Sequence, residues 1–85
     1  MSTGVTTVEV RLFAAAAAAV GTESLEVTAG TVGEAMAAVR ERTDDEGQRV
    51  LDGCSLLHNA VVCRDTGRSV AGGDRIDVLP PFAGG

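Results

Sequence analysis

One amphipathic helix, placed between segments with strand periodicity, constrains the fold of this sequence most strongly. Thr31 and Glu34 have the spacing of a capping box, with Thr31 as the N-cap and Glu34 at the third helical position. The apolar residues that follow are spaced at i, i+3, i+4 and i+7: Val32, Ala35, Met36 and Val39. We therefore expect a helix that ends at Thr43 and packs one apolar face against a sheet.

Four other segments have the features of β-strands. Residues 8–12, 25–27 and 75–79 alternate between apolar and polar side chains, which is typical of strands that are buried on one face. Residues 56–63 form one apolar, β-branched stretch, which predicts the third strand in chain order. The first two strands are expected to pair with each other.

Two short segments connect these elements. The alanine run at residues 14–19 predicts a short helix through Val20, with Gly21 as its C-cap. The acidic run at residues 44–46 is interpreted as a solvated loop, with a short helical turn through Leu51 as the alternative. The order of strand, strand, helix, strand and strand predicts an α+β fold, in which one main helix covers a small mixed sheet.

Length and charge exclude several classes of protein. Eighty-five residues are enough for one domain, and twelve acidic against seven basic residues give a net charge of −5, the wrong sign for binding nucleic acid. The longest apolar stretch, residues 12–20, is too short to span a membrane. Because the first residues lack a basic signal-peptide region and the chain has only two cysteines, we expect a cytoplasmic protein.

The side chains offer little catalytic chemistry. All seven basic residues are arginine, which excludes lysine-based catalysis, and a single histidine excludes a credible Ser-His-Asp set. Cys54 and Cys63 lack the spacing of metal ligands, so no metal site is predicted, and they are expected to be reduced, mostly buried thiols. His58 is interpreted as a structural or surface residue, and Asp74 and Asp77 as part of a solvated face.

The last residues are the most informative segment. Pro80 and Pro81 stop the last strand and direct the chain outward in an extended path. Ala83, Gly84 and Gly85 have almost no side-chain volume, so they can thread a narrow channel in another protein and present the Gly85 carboxylate there. A carboxylate reacts only after conversion to a better electrophile such as an acyl-adenylate, which a sulfur nucleophile or an amine can then attack.

Phe82 lies between the two prolines and these small residues. We interpret it as an anchor in an apolar pocket of a partner rather than as a cover for the sheet edge, because Phe13 already supplies an aromatic side chain for the core. The chain is thus divided into a folded domain, residues 1–81, and a flexible tail, residues 82–85.

A resemblance to the MoaD/ThiS family of ubiquitin-like sulfur carriers is carried by residues 72–85, which read Gly-Gly-Asp-Arg-Ile-Asp-Val-Leu-Pro-Pro-Phe-Ala-Gly-Gly. Residues 10–15 are similar to the family's first strand and following helix, so the resemblance covers nearly the whole chain. It is closest to the molybdopterin synthase small subunit. One departure lies at Asn59-Ala60, where the family often has a glycine turn after the asparagine.

The resemblance implies a β-grasp fold, a mixed sheet of four to five strands whose first and last strands are parallel neighbours. It implies that an E1-like adenylating enzyme uses ATP to activate Gly85, and that a sulfur donor enzyme converts Gly85 to a thiocarboxylate. The carrier then docks on the large subunit of molybdopterin synthase and donates sulfur for the molybdopterin dithiolene. In that complex this chain is the non-catalytic, sulfur-donating subunit, and it binds no cofactor itself.

Three alternatives are compatible with the same residues. The sulfur could enter thiazole, cysteine or thio-metabolite synthesis. The chain could instead be a ubiquitin-like modifier whose Gly85 is joined to lysines of target proteins, or a β-grasp adaptor whose tail has no role. The missing lysines forbid chains of this protein on itself but do not forbid conjugation to targets.

Overall fold

The structure is a computed structural model that describes residues 6–81. Five strands and three helices follow one another along these residues: β1 (Thr6–Leu12), α1 (Ala15–Val20), β2 (Ser24–Ala29), α2 (Val32–Arg40), α3 (Asp45–Asp52), β3 (Ser55–His58), β4 (Val61–Val62) and β5 (Arg75–Leu79). The strands form one sheet in the order β2-β1-β5-β3-β4. None of the described helices is long and apolar enough to cross a membrane.

The centre of the sheet is a parallel pair made by the first and last strands. β1 pairs with β5 in parallel, while β2 is antiparallel to β1 and β3 is antiparallel to β5. A parallel pair needs a long crossover connection, which the helices and the other strands supply here. The arrangement confirms the α+β class, the pairing of the first two strands and the parallel central pair that the family resemblance implies.

The core lies between one face of this sheet and the helices. Alternate residues of β1 and β5 point to that face, so Val8, Val10, Ile76 and Val78 have no exposed surface. The residues expected to form the apolar face of α2 are all buried: Val32, Ala35, Met36 and Val39. Full burial of a valine or methionine side chain contributes about 1.5–3 kcal/mol. Because a helix this short is marginal on its own, packing against the sheet is what stabilises α2.

The N-terminus of α2 has the expected cap, and its C-terminus differs from the expectation. Thr31 Oγ1 accepts a hydrogen bond from the Glu34 N–H at 3.1 Å, and the Glu34 carboxylate accepts one at 2.7 Å from the backbone N–H of the residue before Thr31. The helix ends at Arg40, before Thr43. The Thr43 hydroxyl instead donates to the Ala19 carbonyl at 2.8 Å and so ties the segment after α2 to α1.

The acidic run after α2 begins a third helix. The Asp44 side chain caps α3 by accepting a hydrogen bond from the Gly47 N–H at 2.9 Å. Asp45 and Glu46 lie in the first turn, where the helix dipole favours negative charge, and the Leu51 side chain is buried. The interpretation of residues 44–46 as a solvated loop is therefore wrong. The alternative, a helical turn through Leu51, is confirmed as a helix of eight residues.

The predicted third strand is a hairpin. Between β3 and β4, Asn59 and Ala60 have φ angles of 51° and 72°, the positive values that a two-residue type I′ turn requires. Asparagine tolerates positive φ, and Asn59 Oδ1 also accepts a hydrogen bond from the Arg75 N–H at 2.8 Å. The expectation of a single strand over residues 56–63 is therefore wrong, because a turn without glycine gives a weak signal in the sequence.

Candidate functional site

The parallel pair of β1 and β5 determines where the chain leaves the sheet. Leu12 and Val78 are register partners, so both strands end at the same edge of the sheet. Pro80 is half-buried and Pro81 exposed directly after β5, and a proline has no N–H with which to extend the ladder. Four predicted site residues follow Pro81 in the sequence and lie outside the described residues: Phe82, Ala83, Gly84 and Gly85.

The end of β1 presents an aromatic ring and a cation beside this exit. The Phe13 N–H donates to the Val78 carbonyl at 3.2 Å, and the Arg11 guanidinium lies 5.6 Å from the centroid of the Phe13 ring, within cation–π range. Phe13 is only half-buried, and none of the buried core residues among residues 6–81 is aromatic. The expectation that Phe13 supplies an aromatic side chain to the core is therefore wrong. The placement of Phe82 in a partner interface loses that support and stays a prediction.

The sheet face that points away from the core has a charged part and an apolar part. The charged part crosses β2, β1 and β5, where the register aligns these side chains: Glu9, Arg11, Glu26, Arg75 and Asp77. The apolar part crosses β5, β3 and β4 with these side chains: Leu57, Val62 and Leu79. We call the two parts together the open face. Because Val62 is 59% exposed, the apolar part is accessible to a partner.

An ion pair lies at the boundary between the two parts of the open face. Arg75 Nε and Asp77 Oδ1 are 3.5 Å apart, and both atoms are buried without a hydrogen-bond partner among the described residues. Only 13% of the Asp77 side chain is exposed, since Arg11 and Leu57 are its register neighbours on either side. The interpretation of Asp77 as part of a solvated face is therefore wrong.

A second polar cluster lies at the opposite end of β5, away from the exit of the chain. His58 Nε2 and Asp74 Oδ2 are 2.7 Å apart, and the same oxygen accepts a hydrogen bond from the Ala71 N–H at 2.8 Å. The bond from Ala71, followed by those from His58 and Asn59, lowers the pKa of Asp74 to about 2. The two paired side chains are only 10% and 18% exposed. His58 is thus structural, as expected, whereas the interpretation of Asp74 as a solvated carboxylate is wrong.

Both cysteines are sheltered free thiols. Cys54 is half-buried, its Sγ donates to the Val50 carbonyl at 3.2 Å, and burial raises the pKa of its thiol. Cys63 is 6% exposed, and its Sγ donates to the Asp65 carbonyl at 3.4 Å. A thiol that is kept protonated is a poor nucleophile. Across the part of the chain that the structure describes, no three His, Cys, Asp or Glu side chains are grouped to hold a metal ion.

The open face is a site that the sequence patterns did not identify. Strand alternation places Arg11 and Leu79 on the outer faces of their strands, but it cannot show which residues of different strands are neighbours. The register supplies that information, because it sets Arg11 beside Asp77 and Leu57 beside Val62. Alternation combined with the implied parallel pairing of the first and last strands would have been enough to find the charged part.

A comparison with protein families decides where this chain belongs. A family model described as the ThiS family matches residues 10–85. The chain belongs to the ThiS family. The resemblance to MoaD/ThiS proteins is thereby confirmed, and the chain is one of the ubiquitin-like sulfur carriers and modifiers. No curated protein matches it significantly in sequence.

Solved structures similar to this ThiS-family chain share its fold. The small archaeal modifier protein 1 (SAMP1) from Haloferax volcanii is 28% identical, with a TM-score of 0.75 over 93% of this chain and 99% of that chain. A protein–protein complex of subunits 1 and 2 of molybdopterin-converting factor from Helicobacter pylori contains a chain that is 26% identical, with a TM-score of 0.71 and coverage of 93% and 99%. A chain of the BexX/CysO complex of Amycolatopsis orientalis is 23% identical, with a TM-score of 0.75 and coverage of 92% and 99%. These neighbours confirm the β-grasp fold, and two of them are complexes with a second protein.

Proposed function

We propose that this ThiS-family chain is a sulfur carrier that serves as the small subunit of a molybdopterin synthase. The Gly85 carboxylate is adenylated, converted to a thiocarboxylate and used as the sulfur donor for the molybdopterin dithiolene. The observation that carries this proposal is the exit of the chain at Pro80 and Pro81 beside Phe13. Because β1 and β5 end at one edge, a partner that covers the open face also receives the tail.

The chemistry at Gly85 depends on groups that partners supply. An E1-like adenylating enzyme transfers AMP from ATP to the carboxylate and releases pyrophosphate. Sulfide that a sulfur donor enzyme releases then attacks the carbonyl carbon, and AMP leaves, so that the product is the thiocarboxylate. The carrier contributes the acyl group, and the proposal assigns it no cofactor of its own. Its described nucleophiles are each held in hydrogen bonds to other groups of the chain: Cys54, Cys63 and His58. ATP-dependent activation also fits the cytoplasmic location expected from the sequence.

The open face is the docking surface in this proposal. Arginine and aromatic side chains carry most of the binding energy in many interfaces, and Arg11 and Phe13 lie together at the exit of the chain. Leu79, Leu57 and Val62 add apolar area on the strands that follow across the sheet, β5, β3 and β4. The matching surface on the partner is apolar at its centre, with a carboxylate placed to pair with Arg11. The activating enzyme and the large synthase subunit occupy this face in turn.

The residues after β5 have separate roles in the proposal. Pro80 and Pro81 set the direction of the tail, and Phe82 anchors its base in an apolar pocket of the partner. Ala83 and Gly84 occupy a narrow channel that leads to the active site of the partner, because their small side chains leave the least volume to accommodate.

Two solved neighbours support different partners for the same tail. The Helicobacter pylori molybdopterin-converting factor, at 26% identity, supports the molybdopterin branch. SAMP1 from Haloferax volcanii, at 28% identity, supports a second candidate, a modifier whose acyl group passes to a lysine of a target protein. A carrier for thiazole, cysteine or thio-metabolite synthesis would be activated in the same way and would differ in the protein that receives the sulfur.

Reconstitution with a defined acceptor tests the molybdopterin branch. The thiocarboxylated chain is mixed with a molybdopterin synthase large subunit and cyclic pyranopterin monophosphate, and the dithiolene product is measured. We expect product in proportion to the thiocarboxylate consumed, and no product with a chain that lacks Gly85. Stable binding to the large subunit without transfer of sulfur would contradict the molybdopterin branch, and isopeptide-linked products in an extract with ATP would favour the modifier.

A further inference from the structure

The absence of side-chain amines is the first unusual feature of the protein's surface chemistry. The sequence contains no lysine, and all seven of its basic residues are arginine. A guanidinium group stays protonated in proteins and does not act as a nucleophile toward an acyl group. No side chain of the protein is therefore an amine that could attack an activated carboxylate.

The thiols are the second class of acyl acceptor, and both are sheltered. Cys63 is 6% exposed and donates to the Asp65 carbonyl. Cys54 is half-buried, donates to the Val50 carbonyl, and has its thiol pKa raised by burial. Acyl transfer to sulfur requires an accessible thiolate, so neither thiol is suited to receive the acyl group of another copy.

The single histidine is not placed to act as an acceptor or as a base for a hydroxyl group. His58 Nε2 is bonded to Asp74, only 10% of the His58 side chain is exposed, and the pair lies at the end of β5 opposite to the exit of the tail. Serine and threonine hydroxyls are weak nucleophiles unless a base activates them. Burial and pairing of the histidine therefore withhold the imidazole, which is the side chain that most often activates such a hydroxyl.

We propose that this protein is built as an acyl donor that cannot serve as an acceptor for its own activated C-terminus. The proposal rests on the proposed activation at Gly85 and adds a restriction on what receives the acyl group. A second copy offers its α-amine but no side-chain acceptor, so activation produces no side-chain-linked polymers of the carrier. The group that consumes the activated carboxylate must be sulfide, a persulfide, a thiol or an amine on a different molecule.

The arginines themselves show how to test this restriction. Arg40 and Arg75 form ion pairs with Asp52 and Asp77, and Arg11 lies over Phe13, so these three contribute to local structure. Four others are exposed and can be changed with little effect on folding: Arg42, Arg49, Arg64 and Arg68. Replacing them with lysine keeps the charge and adds four amines, while replacing them with glutamine removes the charge and adds none.

The test uses a Gly85 thioester made without any activating enzyme. Full-length wild type, the R42K/R49K/R64K/R68K variant and the matched R42Q/R49Q/R64Q/R68Q variant are produced as C-terminal thioesters of 2-mercaptoethanesulfonate by intein cleavage and incubated at high protein concentration. In self-acylation a lysine nitrogen attacks the thioester carbonyl, the C–S bond breaks, and an amide forms as the thiol leaves. Added free lysine gives an adduct in all three samples and shows that each thioester is reactive.

The products distinguish the outcomes. We expect hydroxylamine-resistant dimers linked through the new lysines in the lysine variant, and only linkage at the α-amine in wild type and in the glutamine variant. Wild type that forms side-chain-linked dimers as readily as the lysine variant would overturn the proposal, and so would a lysine variant that forms none. Because the thioester is made chemically, neither result depends on whether the protein is a substrate of an adenylating enzyme, so a failure here is separate from a failure of the proposed sulfur-carrier function.

Discussion

Leu12 of β1 and Val78 of β5 are register partners in a parallel pair, so the two central strands of the sheet end together. The consequence is that Arg11 and Phe13 lie beside the point where Pro80 and Pro81 lead the chain away. The proposed docking residues and the last described residues of the chain therefore lie at one edge of the sheet.

Two adjacent valines of β4 test the open face as a docking surface. Val61 and Val62 are both 59% exposed, but their register partners, His58 and Leu57, place them on opposite faces of the sheet. Val62→Asp should weaken binding to the activating enzyme by about 1–2 kcal/mol, roughly tenfold, because an apolar interface would have to desolvate the new carboxylate.

Val61→Asp is the matched control, since it adds the same charge at the same exposure on the other face. We expect its dissociation constant, measured by isothermal titration calorimetry with the activating enzyme, to stay close to that of wild type. Equal losses of affinity for the two variants would show that the open face does not define the interface.

The turn between β3 and β4 carries backbone strain that glycine can relieve. Ala60 has a φ of 72°, in the left-handed region that is unfavourable for a residue with a Cβ atom. Ala60→Gly should raise the free energy of unfolding by about 0.5–1 kcal/mol, because relief of this strain exceeds the extra entropy of glycine in the unfolded chain. Urea unfolding followed by circular dichroism measures the change.

An alanine in a helix provides the control for this substitution. Ala37 is exposed within α2, where glycine should instead lower the free energy of unfolding by about 0.5–1 kcal/mol. If Ala60→Gly destabilised the protein as much as Ala37→Gly, the result would contradict the strain attributed to the positive φ of Ala60.

The Asp74 carboxylate should make stability depend on pH in the acidic range. Its pKa is lowered from 3.8 to about 2 by hydrogen bonds from Ala71, His58 and Asn59, so folding favours the ionised form. This contribution is fully present above the unfolded pKa near 3.8 and is lost as the pH falls toward 2. Asp74→Asn should therefore lower the unfolding temperature at neutral pH, and the difference from wild type should shrink between pH 4 and 2. A difference that stays constant over this range would contradict the account.

The sequence was sufficient to predict the elements whose signals are local. The capping residues Thr31 and Glu34 marked the start of α2, and alternation marked the two central strands, since both patterns depend on near neighbours in the chain. The hairpin at Asn59-Ala60 is not evident in the sequence, because its turn lacks glycine and its apolar flanks together have the pattern of one strand. The helix capped by Asp44 gives a weak signal in the sequence, because Leu51 is the only apolar side chain of its short polar stretch that is buried.

The candidate site likewise has one part that can be predicted from the sequence and one part that cannot. The sequence alone suggests the roles of the last residues, because their chemistry depends on residue type and order: Pro80, Pro81 and the small residues that end at Gly85. The charged part of the open face can be found only when alternation is combined with the implied parallel pairing of the first and last strands. The apolar part cannot be found from the sequence, because Leu57 and Val62 become neighbours only through the register of the hairpin. The interpretation of Asp77 as solvated fails for the same reason, since alternation alone does not show that neighbouring strands cover its carboxylate.

The mass of the protein after activation tests the central claim most directly. The full chain and a matched chain without Gly85 are incubated with the activating enzyme, ATP and a sulfide source, and each is measured by intact mass spectrometry and by mapping of its C-terminal peptide. The account predicts one oxygen-to-sulfur exchange at Gly85 in the full chain, and no exchange in the shortened chain although its unfolding temperature is unchanged. An unaltered full chain, or the same exchange in the chain without Gly85, would contradict it.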